Sequence, residues 1–236
     1  MILLNIEFSW SYLVYTLFIF LIFIGVRILL NYLRKQTIKQ LNNLLYGQEN
    51  YFLYQELLNN KRLKYIFRKQ MLDIMRLNGY LLEGNDKKII ELIEKLDIAK
   101  LEPYEKLDYY QKRFSYFVEH RNKEEAKKSL LMLKNLFKKT SNIKVKKLLD
   151  EAELIYGIYI KRDTKLINEL IEKTKTISDP LVKGITEYRI AKLYYYANNH
   201  KEVDYYLAQA KENVLGSYWY PVVIAAQKDH RVLEKK

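Results

Sequence analysis

The run FSWSYLVYTLFIFLIFIGV, Phe8 to Val26, carries no charge over nineteen positions, and it restricts the chain more than any other stretch. A helix rises 1.5 Å per residue, so about 20 apolar residues cross a hydrocarbon core of roughly 30 Å. Eleven residues between Leu13 and Val26 are Leu, Ile, Val or Phe, enough to outweigh Thr16 and Gly25 on an insertion scale. A cleaved secretory signal fits poorly, because only Glu7 is charged ahead of the run and GVRILL lacks a small-residue exit. A buried core helix is the other alternative, but a soluble helix is rarely apolar on every face. The reading is a transmembrane helix over 10–33, with Trp10, Tyr12 and Tyr32 at the interfaces and Arg27 snorkelling. Arg27, Arg34, Lys35 and Lys39 follow the span and no Lys or Arg precedes it, so the positive-inside rule leaves 1–9 as an extracytoplasmic stub. The expected topology is single-pass, N-out, with the C-terminal domain cytoplasmic.

Beyond the anchor, apolar residues recur at three- and four-residue intervals, broken by short polar turns. Seven glycines and three prolines are too few for the frequent turns of sandwiches and barrels, so the expectation is an all-α fold. One spacing repeats: Ala191, Tyr194, Asn198, Val203, Leu207 and Ala210. The same offsets select Phe114, Phe117, Arg121, Ala126, Leu130 and Leu133, and then Leu77, Tyr80, Gly84, Ile89, Ile93 and Leu96. A fourth copy is Ile155, Ile158, Arg162, Ile167, Ile171 and Thr174; a weak fifth is Leu41, Leu44, Gln48, Leu53, Leu57 and Asn60. A recurrence near 37 residues predicts stacked two-helix units, each with a turn at its third marked position. Pro103 and Pro180 fall between units, and a closing helix begins at about Pro221.

This pattern resembles the tetratricopeptide repeat family, most closely in IAKLYYYANNHKEVDYYLAQA, where Ala191, Tyr194, Val203 and Ala210 hold the family's small, aromatic, small and small positions. The family's large aromatic seven residues earlier is matched by Tyr110 alone and replaced by Asp73, Glu151 and Glu187 elsewhere. The resemblance implies an α-solenoid of TPR-like hairpins over 36–215 with a capping helix over 216–236. It also implies an adaptor that holds a protein or peptide in a concave groove. The helix positions that face such a groove hold Tyr156, Tyr159, Tyr188, Lys192, Tyr195 and Tyr196. Tyrosine suits such a surface through its area, its hydroxyl and its low entropy cost, although the same residues also suit packing between helices. Asn78 and Lys192 are isolated matches to a carboxylate clamp, so a terminal-carboxylate ligand is not expected.

No catalytic pattern emerges. His120, His200 and His230 fall in separate turns without ligand spacing, and no Gly-rich loop or nucleophile elbow is present. The reading is a protein that is not an enzyme and uses no cofactor or metal. Absence of cysteine removes disulfides and thiolate chemistry. The net charge of +13 comes from interspersed acids and bases, which argues against a nucleic-acid stripe and is equally consistent with compositional bias. Lys134, Lys138, Lys139, Lys144, Lys146 and Lys147 crowd one expected turn, either as a solvated loop or as a contact with anionic lipid or nucleic acid. Two functions compete: a membrane-tethered adaptor acting through the groove, and a stabilising subunit of a multi-span membrane complex recognised through the transmembrane helix.

Overall fold

The helix built on the apolar run does not stop where a bilayer would end. In the computed structural model, which describes residues 10–140 and 143–235, helix α1 extends from Trp10 to Asn42 and passes into a π-helical turn over Asn43–Gly47. At 1.5 Å per residue α1 is about 50 Å long, well beyond a hydrocarbon core. Every side chain from Val14 to Leu29 is exposed, and packing begins at Thr37 and Ile38. Among the described residues, this is the one helix long and apolar enough to cross a membrane, and it lies near the N-terminus. The expected stub, 1–9, lies outside the described residues, as do the side chains of Trp10 and Tyr12.

The described residues are helical or in turns, without strands. The further helices are α2 (Tyr51–Asn59), α3 (Leu63–Ile66), α4 (Lys69–Glu83), α5 (Asp86–Lys95), α6 (Pro103–Glu119), α7 (Lys123–Thr140), α8 (Ile143–Ile155), α9 (Leu166–Thr174), α10 (Pro180–Tyr196), α11 (His200–Asn213), α12 (Tyr220–Lys228) and α13 (Val232–Lys235). The chain divides into two compact units, Met1–Glu105 and Lys106–Lys236.

In the first unit, Leu41 and Leu45 at the foot of α1 are buried with Tyr54, Leu58, Leu63, Phe67 and Leu72. Polar side chains bridge the same helices: Tyr54 donates to the Met75 carbonyl at 2.8 Å, and Arg76 binds Asp73 at 2.8 Å and the Leu58 carbonyl at 2.9 Å. Arg34 on α1 donates to the carbonyl of Ile66, the last residue of α3, at 2.7 Å. In the second unit α10 is the central helix, with Ile190, Ala191 and Leu193 fully buried between α9 and α11. Gly184 allows that approach, since a Cβ there would lie 2.6 Å from Val214 Cγ1 and 3.1 Å from the Ala210 carbonyl. Pro103 and Pro180 each open a helix, and Asp179 caps the second by accepting from Leu181 and Val182 N–H.

One turn is used five times. A left-handed residue, Glu49, Gly84, Arg121, Arg162 or Asn198, ends the first helix of each hairpin, and an Asn or Asp follows it directly. Asn50, Asn85, Asn122 and Asn199 accept from the backbone N–H three residues on, and Asp163 accepts from that of Lys165. This couples a Schellman C-cap to an N-cap, so that orphan carbonyls and orphan N–H groups are satisfied together. The left-handed residues are 35, 37, 41 and 36 apart. In four hairpins they fall at the turn position that the spacing predicts.

The first hairpin departs by one residue. Its core takes Leu45, Tyr54 and Leu58 instead of Leu44, Leu53 and Leu57, and its left-handed residue is Glu49 instead of Gln48. The cause is the π-helical turn, which inserts one residue and moves everything after it by one place. The backbone records this directly: Asn85, Asn122 and Asn199 N–H reach the carbonyl five residues back, whereas Asn50 and Asp163 reach six back, to Leu44 and Gly157. The other six-residue reach belongs to the π-helical turn Tyr156–Lys161, which leaves Arg162 at the expected turn position; around it Leu154 and Leu170 are more buried than the expected Ile155 and Ile171.

Gly84 has φ +72°, and a methyl group placed on its Cα would meet nothing within 4 Å, so a substitution there acts through the backbone alone. Gly84→Ala is expected to lower unfolding free energy by about 1 kcal/mol, because an L-residue pays roughly that much in this region. Glu49→Gly, at φ +49°, should move stability the opposite way by less, because unfolded-state entropy offsets part of the gain. Paired urea melts check both signs.

Candidate functional site

Tyr188, Lys192 and Tyr196 recur every four residues along α10 and therefore share one face. The π-helical turn brings Tyr159 to the same face. Lys192 Nζ lies 4.8 Å from the Tyr159 ring centroid and 5.8 Å from that of Tyr196. These four of the six expected groove residues form one cluster. Tyr156 instead lies under Lys161 Nζ, and Tyr195 sits at the cluster's edge, its ring centroid 6.0 Å from that of Tyr196 and 6.3 Å from that of His200.

The cluster is not an open groove. Tyr188 is fully buried and Lys192 is 1% exposed, because α13 folds back across them. Leu233 is buried in the core that contains Tyr188, Ala191 and Val203, and its carbonyl accepts a hydrogen bond from Lys192 Nζ. Arg162 closes the edge: it donates to Glu234 Oε1 at 3.0 Å while its guanidinium lies 4.7 Å from the Tyr196 ring centroid. The expected concave face is thus covered at its centre by the chain's own C-terminal helix. Periodicity places Tyr188, Lys192 and Tyr196 on one helix face, but it carries no information about what packs there.

The electrostatics follow from this enclosure. Burial pulls the Lys192 ammonium down to about 7, Arg121 and Arg162 push it the same way, and Glu234 opposes them. Tyr188, Tyr159 and Tyr196 are all raised, chiefly by burial. The Tyr188 hydroxyl is buried without a hydrogen-bond partner among the described residues, although its ring packs on Trp219 with centroids 5.5 Å apart. Lysine and tyrosine hydroxyl together can hold a backbone carbonyl, and Arg162 can hold a neighbouring carboxylate.

Several partners escape sequence reasoning. Arg162, Leu233, Glu234 and Trp219 complete the cluster, yet only Arg162 carries a signal, as a turn residue. His200 and His230 stack with centroids 5.7 Å apart, and His230 meets Asp204 at 2.9 Å. Among the described residues no three His, Asp or Glu side chains are grouped to hold a metal. The positions where the repeat family carries an aromatic bind polar neighbours here: Asp73 to Arg76, Glu151 to Arg189 at 2.7 Å, and Glu187 to Asn213 at 2.8 Å.

The lysine cluster sits at the end of α7 and the start of α8. Lys138, Lys144, Lys146 and Lys147 are exposed, whereas Lys134 pairs with Glu153; the Lys139 side chain lies outside the described residues. No protein-family model, no curated protein and no solved structure matches the chain.

Proposed function

We propose that the protein is a membrane-tethered, non-enzymatic adaptor whose α-solenoid of TPR-like hairpins lies in the cytoplasm and takes a protein or peptide partner on the α10 face. The observation that carries the reading is α13 on that face: an amine, a guanidinium and tyrosine rings hold a short helix through its leucine, a backbone carbonyl and an acid. A partner segment with the same features, an apolar side chain followed by a carboxylate, would satisfy the same groups by replacing residues 229–236. Tethering favours such an exchange, because confinement to a membrane raises effective concentration without new contacts. The positive flank of α1 supports the cytoplasmic side.

The test uses the full chain in native membranes, with a photocrosslinking residue replacing the part-exposed Tyr195. Capture of one defined partner should increase on deletion of 229–236 and fall when Lys192→Met and Arg162→Ala are added to the deletion. Capture that is indifferent to both changes would rule the α10 face out as the binding site.

A further inference from the structure

The foot of the anchor carries a second basic surface that the sequence does not single out. After the π-helical turn ends at Gly47 the chain reverses, and α2 climbs back about 13 Å, by the helical rise, toward the level of Arg34. Helix α3 caps this return. Its height along α1 is set by the 2.7 Å hydrogen bond from Arg34 Nε to the Ile66 carbonyl and by burial of Leu63 and Phe67 with Leu41. Arg34 lies two residues, about 3 Å, beyond Tyr32, and a headgroup layer is roughly 5 to 7 Å deep on each side of the hydrocarbon.

What α3 and its approach present at that level is basic and aromatic. Residues 60–69, NKRLKYIFRK, contain no acid. Lys61, Arg62 and Lys64 are exposed and make no ion pair among the described residues, whereas Arg68, the next basic residue, is engaged by Glu102 and Glu105. Tyr65 is 84% exposed, more than any other large apolar or aromatic side chain among the described residues. Arg34 and Lys35 add charge on α1. A tyrosine flanked by unpaired cations, held within a Debye length of the surface, is complementary to an anionic headgroup layer.

We propose that α3 is a membrane-surface foot: Lys61, Arg62 and Lys64 bind anionic phospholipid headgroups and Tyr65 inserts among them. The inference rests on α1 spanning the bilayer. It makes the first unit a docked body at the surface, with its approach set by lipid charge.

The chain has no cysteine, so a single introduced thiol reports one place. An environment-sensitive fluorophore is attached to full-length Tyr65→Cys, Phe20→Cys or Phe52→Cys protein in vesicles of phosphatidylcholine alone or with phosphatidylglycerol. The Phe20 site should report hydrocarbon in both lipids, and the Phe52 site, 77% exposed at the far end of the hairpin, should report water in both. The Tyr65 site should be blue-shifted with phosphatidylglycerol and return to water in phosphatidylcholine. Lys61→Glu, Arg62→Glu and Lys64→Glu together should reverse the shift in phosphatidylglycerol, lowering the docked-to-free ratio by roughly 100-fold or more. A Tyr65 site in water in both lipids, with Phe20 in hydrocarbon, overturns the foot alone. Equal embedding in both lipids overturns charge recognition, and a Phe20 site in water overturns the span itself.

Discussion

Leu233→Ala should release the C-terminal helix from α10. Leu233 is fully buried among Tyr188, Ala191, Val203, Leu207 and Val223, so truncation removes its transfer free energy and leaves a cavity. Such changes cost about 2 to 5 kcal/mol when the surrounding structure cannot collapse. Here the loss has a ceiling. Only the segment after Lys228 depends on this anchor, and it can undock before the helices beneath it unfold, so the global loss cannot exceed the docking free energy of that segment. Two measurements separate the levels. Urea melts should show a loss of about 3 kcal/mol or less, and acylation of Lys192, followed by peptide mass spectrometry, should accelerate by roughly 100-fold at 3 kcal/mol. Lys192 protected as in the parent protein, with unchanged stability, would mean that α13 does not hold the site closed.

Stability should rise with pH between about 7 and 9, and Lys192 should be the cause. Its ammonium is held at about 7 in the folded protein against 10.5 in an unfolded chain. Between those values the unfolded state carries one more proton than the folded state, so unfolding free energy increases by about 1.4 kcal/mol per pH unit from this group. Below pH 7 both states are protonated and the contribution is flat. The upper end is set by the tyrosines. Tyr159, Tyr188 and Tyr196 have raised folded values, so their stabilisation is complete below the unfolded value near 10 and is lost above it. The groups facing the amine also include Arg121 and Arg162, which depress it, and Glu234, which opposes them. Lys192→Met keeps the aliphatic volume and removes the titration. The parent-minus-variant difference should therefore climb by about 2 kcal/mol from pH 7 to 9, and a flat difference would sink the assignment.

Much of the architecture is legible because periodicity and turn chemistry are local. Spacing alone marks Asn198, Arg121, Gly84 and Arg162 as turns, and all four are left-handed. A sharper signal is also present: each of the five turns is followed by Asn or Asp, the residue that caps the next helix. The π-helical turns are not legible. A residue inserted in a helix leaves composition and amphipathicity almost unchanged, so Leu44 and Leu45, or Leu53 and Tyr54, are equally good candidates until the packed partner selects one.

The candidate site divides along the same line. Spacing by four groups Tyr188, Lys192 and Tyr196; the structure joins the expected Tyr159 to them at a widened turn, leaves Tyr195 at the edge between Tyr196 and His200, and places Tyr156 under Lys161. Spacing favours solvent for Lys192 because a lone lysine on an aromatic face is ordinarily charged and hydrated. What buries it is a four-residue helix some forty positions later, whose sequence VLEK carries no periodic signal of its own.

The sequence by itself determined the long apolar helix, the helical hairpins and the places where the chain turns, since each depends on residues within a few positions of one another. Tertiary structure alone decided that α1 runs unbroken into the first hairpin core, that α3 is held at the level of Arg34, and that α13 covers Lys192. Those outcomes depend on which distant surfaces bury one another, and that choice is made by shape and desolvation between segments, not by any pattern within one.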